Sequence, residues 1–506
     1  MTELTQKPNP AQKAGLGATY WKLNTIEMWE RFAYFALRSV VAVYICQADD
    51  VGGLHLTMAH KGTIYAWWFV FQSVLPMFTG GIADRYGYKK VLLGAISANI
   101  GGYLILAYAR DFWSFFFGIL VLASGTAFFK PALQGSLAQS LNKGNSSLGW
   151  GIFYWVVNIG ALIGPLLASA IIGEHGVDEW RRLFFMSAGF TSLNLIMLFT
   201  FTDVPSGADK TESLAAVFKR TLINILEPRL VAWLLIMSCF WLMMYQVWDL
   251  HPNFISDWVD SSDVAAVLAL VPGIGTSVLT KVDASGLRFV PQEVLISTNA
   301  AMIVSLMIPV SWLVRRLRTL TCMMIGMVMA VGGTIVAGFT GIGWVLVFGI
   351  MLFSLGEMLT GPKKNEYLGL IAPPGKKGLY LGYVNIPVGI GGFVGSKMSG
   401  YIYGHFGEKA VLAQRYLMEN TPLGEGKVWD GDATSLDLAL GVERTQAFAK
   451  LMEVQGLDTA AATELLWQTY DPHLWVWIPF AAIGTAAAVA LLVFGQLAKK
   501  WKDMDA

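Results

Sequence analysis

Long apolar stretches, separated by short polar segments, run along nearly the whole chain. A hydrocarbon core about 30 Å thick is crossed by roughly 20 residues of α-helix. On that basis the pattern predicts twelve membrane spans, at residues 22–47, 60–83, 89–109, 112–139, 149–173, 183–202, 229–257, 290–315, 319–340, 343–365, 378–406 and 473–498. Six spans precede the polar stretch at 203–228 and six follow it, which predicts two six-helix halves related by an internal repeat.

Charges on the connecting segments predict how the chain is oriented. Lysines and arginines cluster in the even-numbered loops and near the C-terminus, whereas acids such as Asp260 lie in the opposite loops. Positive charge stays on the cytoplasmic side of a membrane, so both termini are predicted to be cytoplasmic. The predicted segments are a cytoplasmic tail (1–21), an N-terminal bundle (22–202), a cytoplasmic linker (203–228), a C-terminal bundle (229–498) and a second cytoplasmic tail (499–506).

Two segments on the predicted outer side, 258–289 and 407–472, are long for connections between neighbouring helices. Helical spacing of apolar residues at 446–457 and 459–470 predicts short amphipathic helices in a small external cap. The alternative is that the two segments only connect spans 7 to 8 and 11 to 12. The first twenty residues lack the apolar run of a cleavable signal peptide, so the first span is expected to serve as the insertion signal. The expected location is the cytoplasmic (inner) membrane, crossed many times.

Composition narrows the class of protein. Hydrophobic residues make up 55% and charged residues 14% of the chain, against roughly 25% charged residues in soluble proteins. The net charge of +1 and the lack of a basic block argue against a nucleic-acid partner. The three cysteines have no metal-ligand spacing, and no cofactor is expected.

The first span carries four charged residues, Glu27, Glu30, Arg31 and Arg38. Their spacing places all four on one face of a helix. A lone charge at the centre of a bilayer costs roughly 2.5 to 3.5 kcal/mol, so these side chains must pair with one another or face water. A structural ion-pair cluster and a proton or substrate pathway both satisfy that requirement, and intramembrane ionisable residues favour the pathway.

The turn between spans 2 and 3 reads GGIADRYGYKK and contains Asp84 and Arg85. It resembles the loop signature of the major facilitator superfamily. An acid at this position can accept hydrogen bonds from a neighbouring helix N-terminus in one conformation and lose them in another, which predicts a role in gating. The alternative is a solvated turn held in register by its charges. The equivalent turn of the second half, WLVRRLRTL, keeps the basic residues without the acid.

Four further motifs resemble the proton-dependent oligopeptide transporters of that superfamily. EMWERFAYF, at 27–35, is similar to the ExxERFxYY motif of the family, and FYWVVNIGA, at 153–161, to its FYxxINxGS motif. GTAFFKPALQ places Lys130 at the position of the family's membrane-embedded lysine, and LGEMLTGP places Glu357 at its acidic position. The resemblance implies an all-α major facilitator fold of twelve transmembrane helices.

The resemblance also implies roles for individual residues. Glu27, Glu30 and Arg31 are expected to form a proton-responsive network with Lys130. Arg38 and Lys130 are expected to face the carboxylate of a short peptide, and Glu357 its amino group. Asn158 and Asn299 are expected to bind the peptide backbone, and Tyr34 to line a pocket for its side chains. Residue types alone support a zwitterion site, because cations on spans 1 and 4 and an acid on span 10 separate opposite charges.

The seventh span departs from the family pattern. Tyr245 precedes Gln246 where the family has a glutamate, and the nearest acid is Asp249, one turn further on. We expect Asp249 to replace that glutamate as the partner of Arg38 in an outer gate and to join the proton-coupling set. Lys397 competes as a partner for Asp249, or extends toward the membrane surface.

The sequence thus predicts a monomeric, proton-coupled symporter that imports di- and tripeptides across the bilayer by alternating access. A first alternative keeps the fold and transports another small zwitterionic or anionic solute. A second is a membrane sensor that transports nothing. An enzyme is not expected, because no nucleophile, metal cluster or phosphate-binding loop occurs with the partners it needs.

Overall fold

The computed structural model describes residues 16–48, 51–142, 145–172, 177–203, 225–283, 286–371 and 383–498. Most of the predicted N-terminal tail, the middle of the linker and the C-terminal tail lie outside these residues. The described chain is mainly α-helical. Helices suit apolar sequence in a bilayer, because a helix satisfies its backbone hydrogen bonds internally.

In the first half, helices occupy all six predicted spans. They are α1 (Ala18–Cys46), α2 (Met58–Val74), α3 (Pro76–Tyr86), α4 (Tyr88–Tyr108), α5 (Phe112–Ser140), α6 (Ser146–Ile171) and α7 (Val177–Leu198). The second span is interrupted at Leu75, because Pro76 has no N–H to continue the hydrogen-bond ladder and begins α3 instead.

The second half adds an outer hairpin and a cap to its spans. Its helices are α8 (Pro228–Met244), α9 (Gln246–Asp249), α10 (His251–Trp258), α11 (Ser262–Leu268), α12 (Gln292–Leu313), α13 (Thr319–Gly338), α14 (Gly343–Ile371), α15 (Ile386–Phe406), α16 (Lys409–Asn420), α17 (Leu436–Leu440), α18 (Arg444–Gln455), α19 (Thr459–Tyr470) and α20 (Pro472–Ala498). Two antiparallel strands, β1 (Lys281–Val282) and β2 (Arg288–Phe289), form the hairpin, with Lys281 opposite Phe289. The seventh span is broken into α8, α9 and α10. The predicted amphipathic helices of the cap are confirmed as α18 and α19.

Among the described residues, eight helices are long and apolar enough to cross a membrane. The seventh span is one of these eight, as Pro228–Asp249. The predicted spans outside the set are the first, which carries the charged face, the second, which is interrupted at Leu75, the sixth and the eleventh. The helix bounds agree with the predicted all-α class of twelve spans. The predicted division at the linker, with both termini in the cytoplasm, stays a prediction.

Within each half, helices pack on chain neighbours and also on helices far apart in the sequence, and the main helix contacts between the halves lie at two places. In the first half α1 packs on α6 and α7, and α4 on α5 and α7. In the second half α14 packs on α13, and α8 on α15 and α20. The two sets meet where α2 packs on α15 and where α6 packs on α12.

Hydrogen bonds between the halves lie at one end of the bundle, the end that holds α11, the hairpin and α16 to α19. We call it the outer end. There Asn253 Nδ2 donates to the Ala42 carbonyl at 3.1 Å, and Gln292 Nε2 donates to the Ser39 carbonyl at 2.9 Å. Arg444 of the cap donates to the Leu56 carbonyl at 3.2 Å. These bonds close the outer end.

Glycines allow α13 and α14 to approach closely. A Cβ atom on Gly333 would collide with the backbone of Phe353 and lie 2.7 Å from the Gly349 carbonyl oxygen. Its neighbour Gly332 has room, since a Cβ there would meet only Leu352 Cδ2, at 3.6 Å. Small residues at one face of a helix therefore set the distance between these two helices.

We expect Gly333→Ala to destabilise the protein by about 1–3 kcal/mol, because the added methyl group overpacks a rigid backbone contact. The thermal unfolding midpoint of the detergent-solubilised protein measures the effect. Gly332→Ala is the matched control and should leave the midpoint nearly unchanged. Equal midpoints for the two variants would show that Gly333 has room for a methyl group and would contradict the close contact between α13 and α14.

Candidate functional site

The charged face of α1 forms an ion-pair cluster around Arg31. Arg31 Nε lies 3.2 Å from Glu27 Oε1 and donates to Glu30 Oε2 at 2.5 Å. All three side chains are buried. One turn of helix separates Glu27 from Arg31, so α1 alone determines this pairing. The predicted cluster forms, and its two carboxylates share a single guanidinium.

Lys130 lies on α5, within electrostatic reach of Glu27, Glu30 and Arg31. Its ammonium has no ion pair or hydrogen bond among the described residues. Pro131, the next residue, lacks an N–H, so the Ala127 carbonyl one turn earlier loses its usual donor. The Thr79 hydroxyl of α3 replaces that donor at 2.6 Å. A proline therefore stays inside the helix, immediately beside the lysine, without leaving a bare carbonyl in the membrane.

Arg38 is held by aromatic rings instead of a carboxylate. Its guanidinium carbon lies 4.0 Å from the ring centroid of Tyr65, 4.7 Å from that of Trp68 and 5.2 Å from that of Phe69. Arg38 is 7% exposed, and its Nη1 has no hydrogen-bond partner in the described part of the chain. Cation–π contacts stabilise a buried charge only in part, so Arg38 can still accept an anionic partner.

Asp249 pairs with Lys61, a residue that the sequence reasoning did not single out. Lys61 Nζ lies 2.9 Å from Asp249 Oδ1, and both side chains are fully buried. The same ammonium donates to Asn253 Oδ1 at 3.2 Å, and the Ser396 hydroxyl donates to Asp249 Oδ2. This outer lock, defined by Lys61, Asp249, Asn253 and Ser396, joins α2, α9, α10 and α15.

Both predicted partners of Asp249 are therefore wrong for this structure. Arg38 faces the aromatic rings, and the exposed Lys397 donates to Thr63 Oγ1 at 2.6 Å. Lys61 lies near the start of α2, where its side chain reaches α9 directly. A fully buried carboxylate takes the cation that can reach it with the best geometry, because either charge alone would be strongly destabilising there.

Glu357 of α14 accepts a hydrogen bond from Asn299 of α12. Asn299 Nδ2 lies 2.8 Å from Glu357 Oε2 and 3.0 Å from the Ser354 hydroxyl. The amide predicted to bind a peptide backbone thus orients the carboxylate. No described cation lies within ion-pair distance of Glu357, and Tyr154 of the first half lies within its electrostatic reach.

Tyr245, which occupies the position of the missing glutamate, lies between charges from both halves. It is within electrostatic reach of Arg38 and Tyr34 of α1 and of Glu357 of α14. The Tyr34 hydroxyl donates to Gln72 Oε1 at 3.0 Å. These interactions connect residues of α1, α2, the start of α9 and α14, and we call the region among them the central space.

Asn158 of α6 donates to the Tyr154 carbonyl of its own helix at 2.8 Å. Tyr154 in turn lies within electrostatic reach of Glu357. The predicted amide is therefore near the central space, but its nitrogen bonds to its own helix in this structure.

Residues 31–396 match the model of the Major Facilitator Superfamily. The chain belongs to that superfamily. Matching residues cover more than half of its length, and they include every predicted site residue except Glu27, Glu30 and Lys397. The family and the fold are those of membrane transporters.

Among curated relatives, dipeptide and tripeptide permease A of Proteus mirabilis (strain HI4320) is 26% identical over 180 residues, which cover 34% of this chain and 36% of that protein. The aligned part thus spans about a third of the length of the curated relatives it matches first. The crystal structure of a peptide transporter POT in complex with sulfate is 16% identical, covers 96% of both chains and has a TM-score of 0.66. That of the nucleoside transporter NupG is 12% identical, covers 94% of this chain and 99% of its own and has a TM-score of 0.63.

These findings support the resemblance to oligopeptide transporters that the motifs predict. The two structures have nearly the same TM-score although their names give different substrates. Their likeness therefore shows the fold alone. The substrate must be argued from the side chains that line the central space.

The superfamily loop joins three helices at the end opposite the outer lock. Asp84 Oδ1 accepts a hydrogen bond from the Tyr88 hydroxyl at 2.7 Å, and Arg85 is exposed. Asp203, just after α7, accepts the backbone N–H of Lys89 at 3.1 Å and so binds the first turn of α4. Gly87 has φ of 97°, which favours glycine. Their role in gating stays a prediction.

Two lysines that the sequence reasoning did not single out are Lys61 of the outer lock and Lys364 of α14. Lys364 lies two turns after Glu357 on α14, and its Nζ is 4.1 Å from the ring centroid of Trp241. A seven-residue spacing places both residues on one helix face, so the pattern contained a signal for Lys364. For Lys61 the only signal was a basic residue near the end of an apolar span, which usually indicates a surface residue.

We expect Lys61 and Asp249 to couple strongly in a double-mutant cycle of unfolding midpoints. Lys61→Met and Asp249→Asn each leave one buried group unpaired, so each should destabilise by about 3–5 kcal/mol. The double variant should lose clearly less than the sum of the two. The measurement is thermal unfolding of the purified protein in detergent.

Two controls distinguish this pairing from the alternatives. Lys397→Met should change the midpoint little, because its ammonium is exposed and bonds only to Thr63 among the described residues. A cycle of Arg38→Gln with Asp249→Asn should be nearly additive. Coupling of Asp249 to Arg38 instead of Lys61 would overturn the outer lock.

Proposed function

We propose that the protein is a proton-coupled symporter that imports di- and tripeptides by alternating access, with the halves at 22–202 and 229–498 moving about the central space. The observation that carries the proposal is the separation of charge across that space. Arg38 and Lys130 belong to the first half, and Glu357 belongs to the second. A short peptide has a carboxylate for the cations and an ammonium for the acid.

Electrostatic contacts across the halves support a single site. Tyr245 lies within reach of both Arg38 and Glu357, and Lys364 within reach of both Glu357 and Lys130. Because the opposite charges lie on different halves, a zwitterion interacts with both at short distance only when the halves close around it, and it binds most tightly in that form. Binding energy realised only in the closed form shifts the conformational equilibrium toward closure.

Proton coupling is argued from the Arg31 cluster. Two carboxylates share one guanidinium, and Lys130 lies within electrostatic reach of all three groups. Protonation of Glu27 or Glu30 would weaken that carboxylate's hold on Arg31 and change the field at Lys130. Because Lys130 also faces the peptide carboxylate in this proposal, proton and peptide act on the same residue.

Alternating access is argued from where the halves are joined. In the described residues, the hydrogen bonds and the ion pair that cross between the halves lie at the outer end. Opening outward would require these bonds to break. We propose that the outer lock is the gate on that side, that the superfamily loop with Asp84 and Arg85 serves the opposite side, and that the protein works as a monomer in the inner membrane.

Uptake by proteoliposomes tests the proposal. An imposed inward proton gradient should drive accumulation of labelled dialanine inside the proteoliposomes, and an uncoupler should abolish that accumulation. Lys130→Ala and Glu357→Gln should each lower uptake by about tenfold or more, since each removes a charged partner of the peptide.

Lys450→Ala, which truncates an exposed lysine of the cap, is the matched control and should transport normally. Absence of uptake by folded, correctly inserted wild-type protein would overturn the proposal. Accumulation that persists with the uncoupler would support peptide transport and contradict proton coupling.

A further inference from the structure

Lys364 adds a positive charge to the central space. It lies seven residues after Glu357 on α14, so the two side chains share a face about 10 Å apart along the helix axis. Its Nζ contacts the face of Trp241 of α8 at 4.1 Å from the ring centroid, and it lies within electrostatic reach of Glu357 and of Lys130 in the other half. Glu357 and Lys130 belong to different halves, so the Lys364 charge acts near the boundary between them.

Three cations around this space have no carboxylate partner. Arg38, Lys130 and Lys364 each lack an ion pair within the described ranges of the chain. Arg38 and Lys364 contact aromatic rings instead. Arg38 is buried and its Nη1 has no hydrogen-bond partner there, which marks a place for an anionic acceptor.

Carboxylates do not balance these cations. Glu27 and Glu30 pair with Arg31, which leaves one negative charge in that cluster within electrostatic reach of Lys130. Glu357, with Asn299 as its hydrogen-bond donor, is the remaining acid that we have placed at the space. At the position of the missing glutamate, Tyr245 contributes a phenol. When the one negative charge of that cluster and Glu357 are counted against Arg38, Lys130 and Lys364, an excess of one positive charge remains.

A zwitterion has no net charge and leaves that excess unchanged. Its carboxylate satisfies the cations near α1 and α5, but Lys130 and Lys364 still repel each other inside a site of low dielectric. A substrate with a second carboxylate removes the repulsion and adds a charge-assisted hydrogen bond. The excess therefore discriminates between peptides of different side-chain charge.

We propose that Lys364 is a specificity-determining residue and that the preferred substrates are short peptides with an acidic side chain. The proposal rests on the proposed function of peptide uptake. The amino group of the peptide faces Glu357, its terminal carboxylate faces Arg38 and Lys130, and its side-chain carboxylate faces Lys364. Two extended residues span about 7 Å, so an acidic side chain on the second residue bridges the remaining distance along α14.

Competition among dipeptides tests this inference. Uptake of labelled dialanine into proteoliposomes is measured with increasing unlabelled Ala-Glu, Ala-Gln or Ala-Lys. Ala-Glu and Ala-Gln have nearly the same shape and differ in charge. For the wild type we expect half-inhibition by Ala-Glu at about tenfold lower concentration than by Ala-Gln, with Ala-Lys weakest.

Two lysine variants locate the effect, each normalised to its own dialanine uptake. Lys364→Met should bring the Ala-Glu and Ala-Gln values together, and Lys364→Glu should make Ala-Lys the better competitor. Lys363→Met is the matched control, because the adjacent lysine pairs with Glu366 at 2.7 Å. It should retain the preference for Ala-Glu.

The outcomes separate the two proposals. Dialanine uptake without a preference for Ala-Glu, or a preference that survives Lys364→Met, overturns the inference and leaves peptide transport standing. Lack of uptake and of competition by any dipeptide, with folded and inserted protein, overturns the proposed function and the inference with it.

Discussion

Compensation of buried charge is the constraint on which the rest of this structure depends. A membrane-spanning bundle excludes water from most of its side chains, so each ionised group needs a partner. Arg31 satisfies this need within α1, and Lys61 satisfies it across the halves through Asp249. Where compensation is incomplete, at Arg38, Lys130 and Lys364, aromatic faces and nearby charges leave room for a ligand. These incompletely paired groups are the ones that we propose as the binding site.

Interruptions of the helices lie close to these charges. Pro76 separates α2 from α3, and the seventh span is divided at Tyr245. Each break frees backbone groups that must find other partners inside the membrane. At Pro131 that partner is the Thr79 hydroxyl of a different helix, which fixes α3 against α5 next to Lys130. Irregular backbone is thus tolerated here because neighbouring elements satisfy it.

Contacts between the halves are unequal at the two ends of the bundle. Hydrogen bonds and a buried ion pair join them at the outer end within the described residues, and the cap adds Arg444. A charged pair suits such a joint, because breaking it exposes both groups to water as the end opens, which offsets part of the lost attraction. Packing of α2 on α15 also joins the halves.

The sequence by itself determined the twelve spans, the all-α class and the placement of Glu27, Glu30 and Arg31 on one face of the first helix. Those features depend on hydrophobic length and on helix periodicity, which are local properties of the chain. Only the tertiary structure decided that Asp249 pairs with Lys61 and that Asn299 orients Glu357. Such pairings depend on the depth and rotation of helices far apart in sequence. A few ångströms of offset between two helices select one cation over another, and no local pattern records that offset.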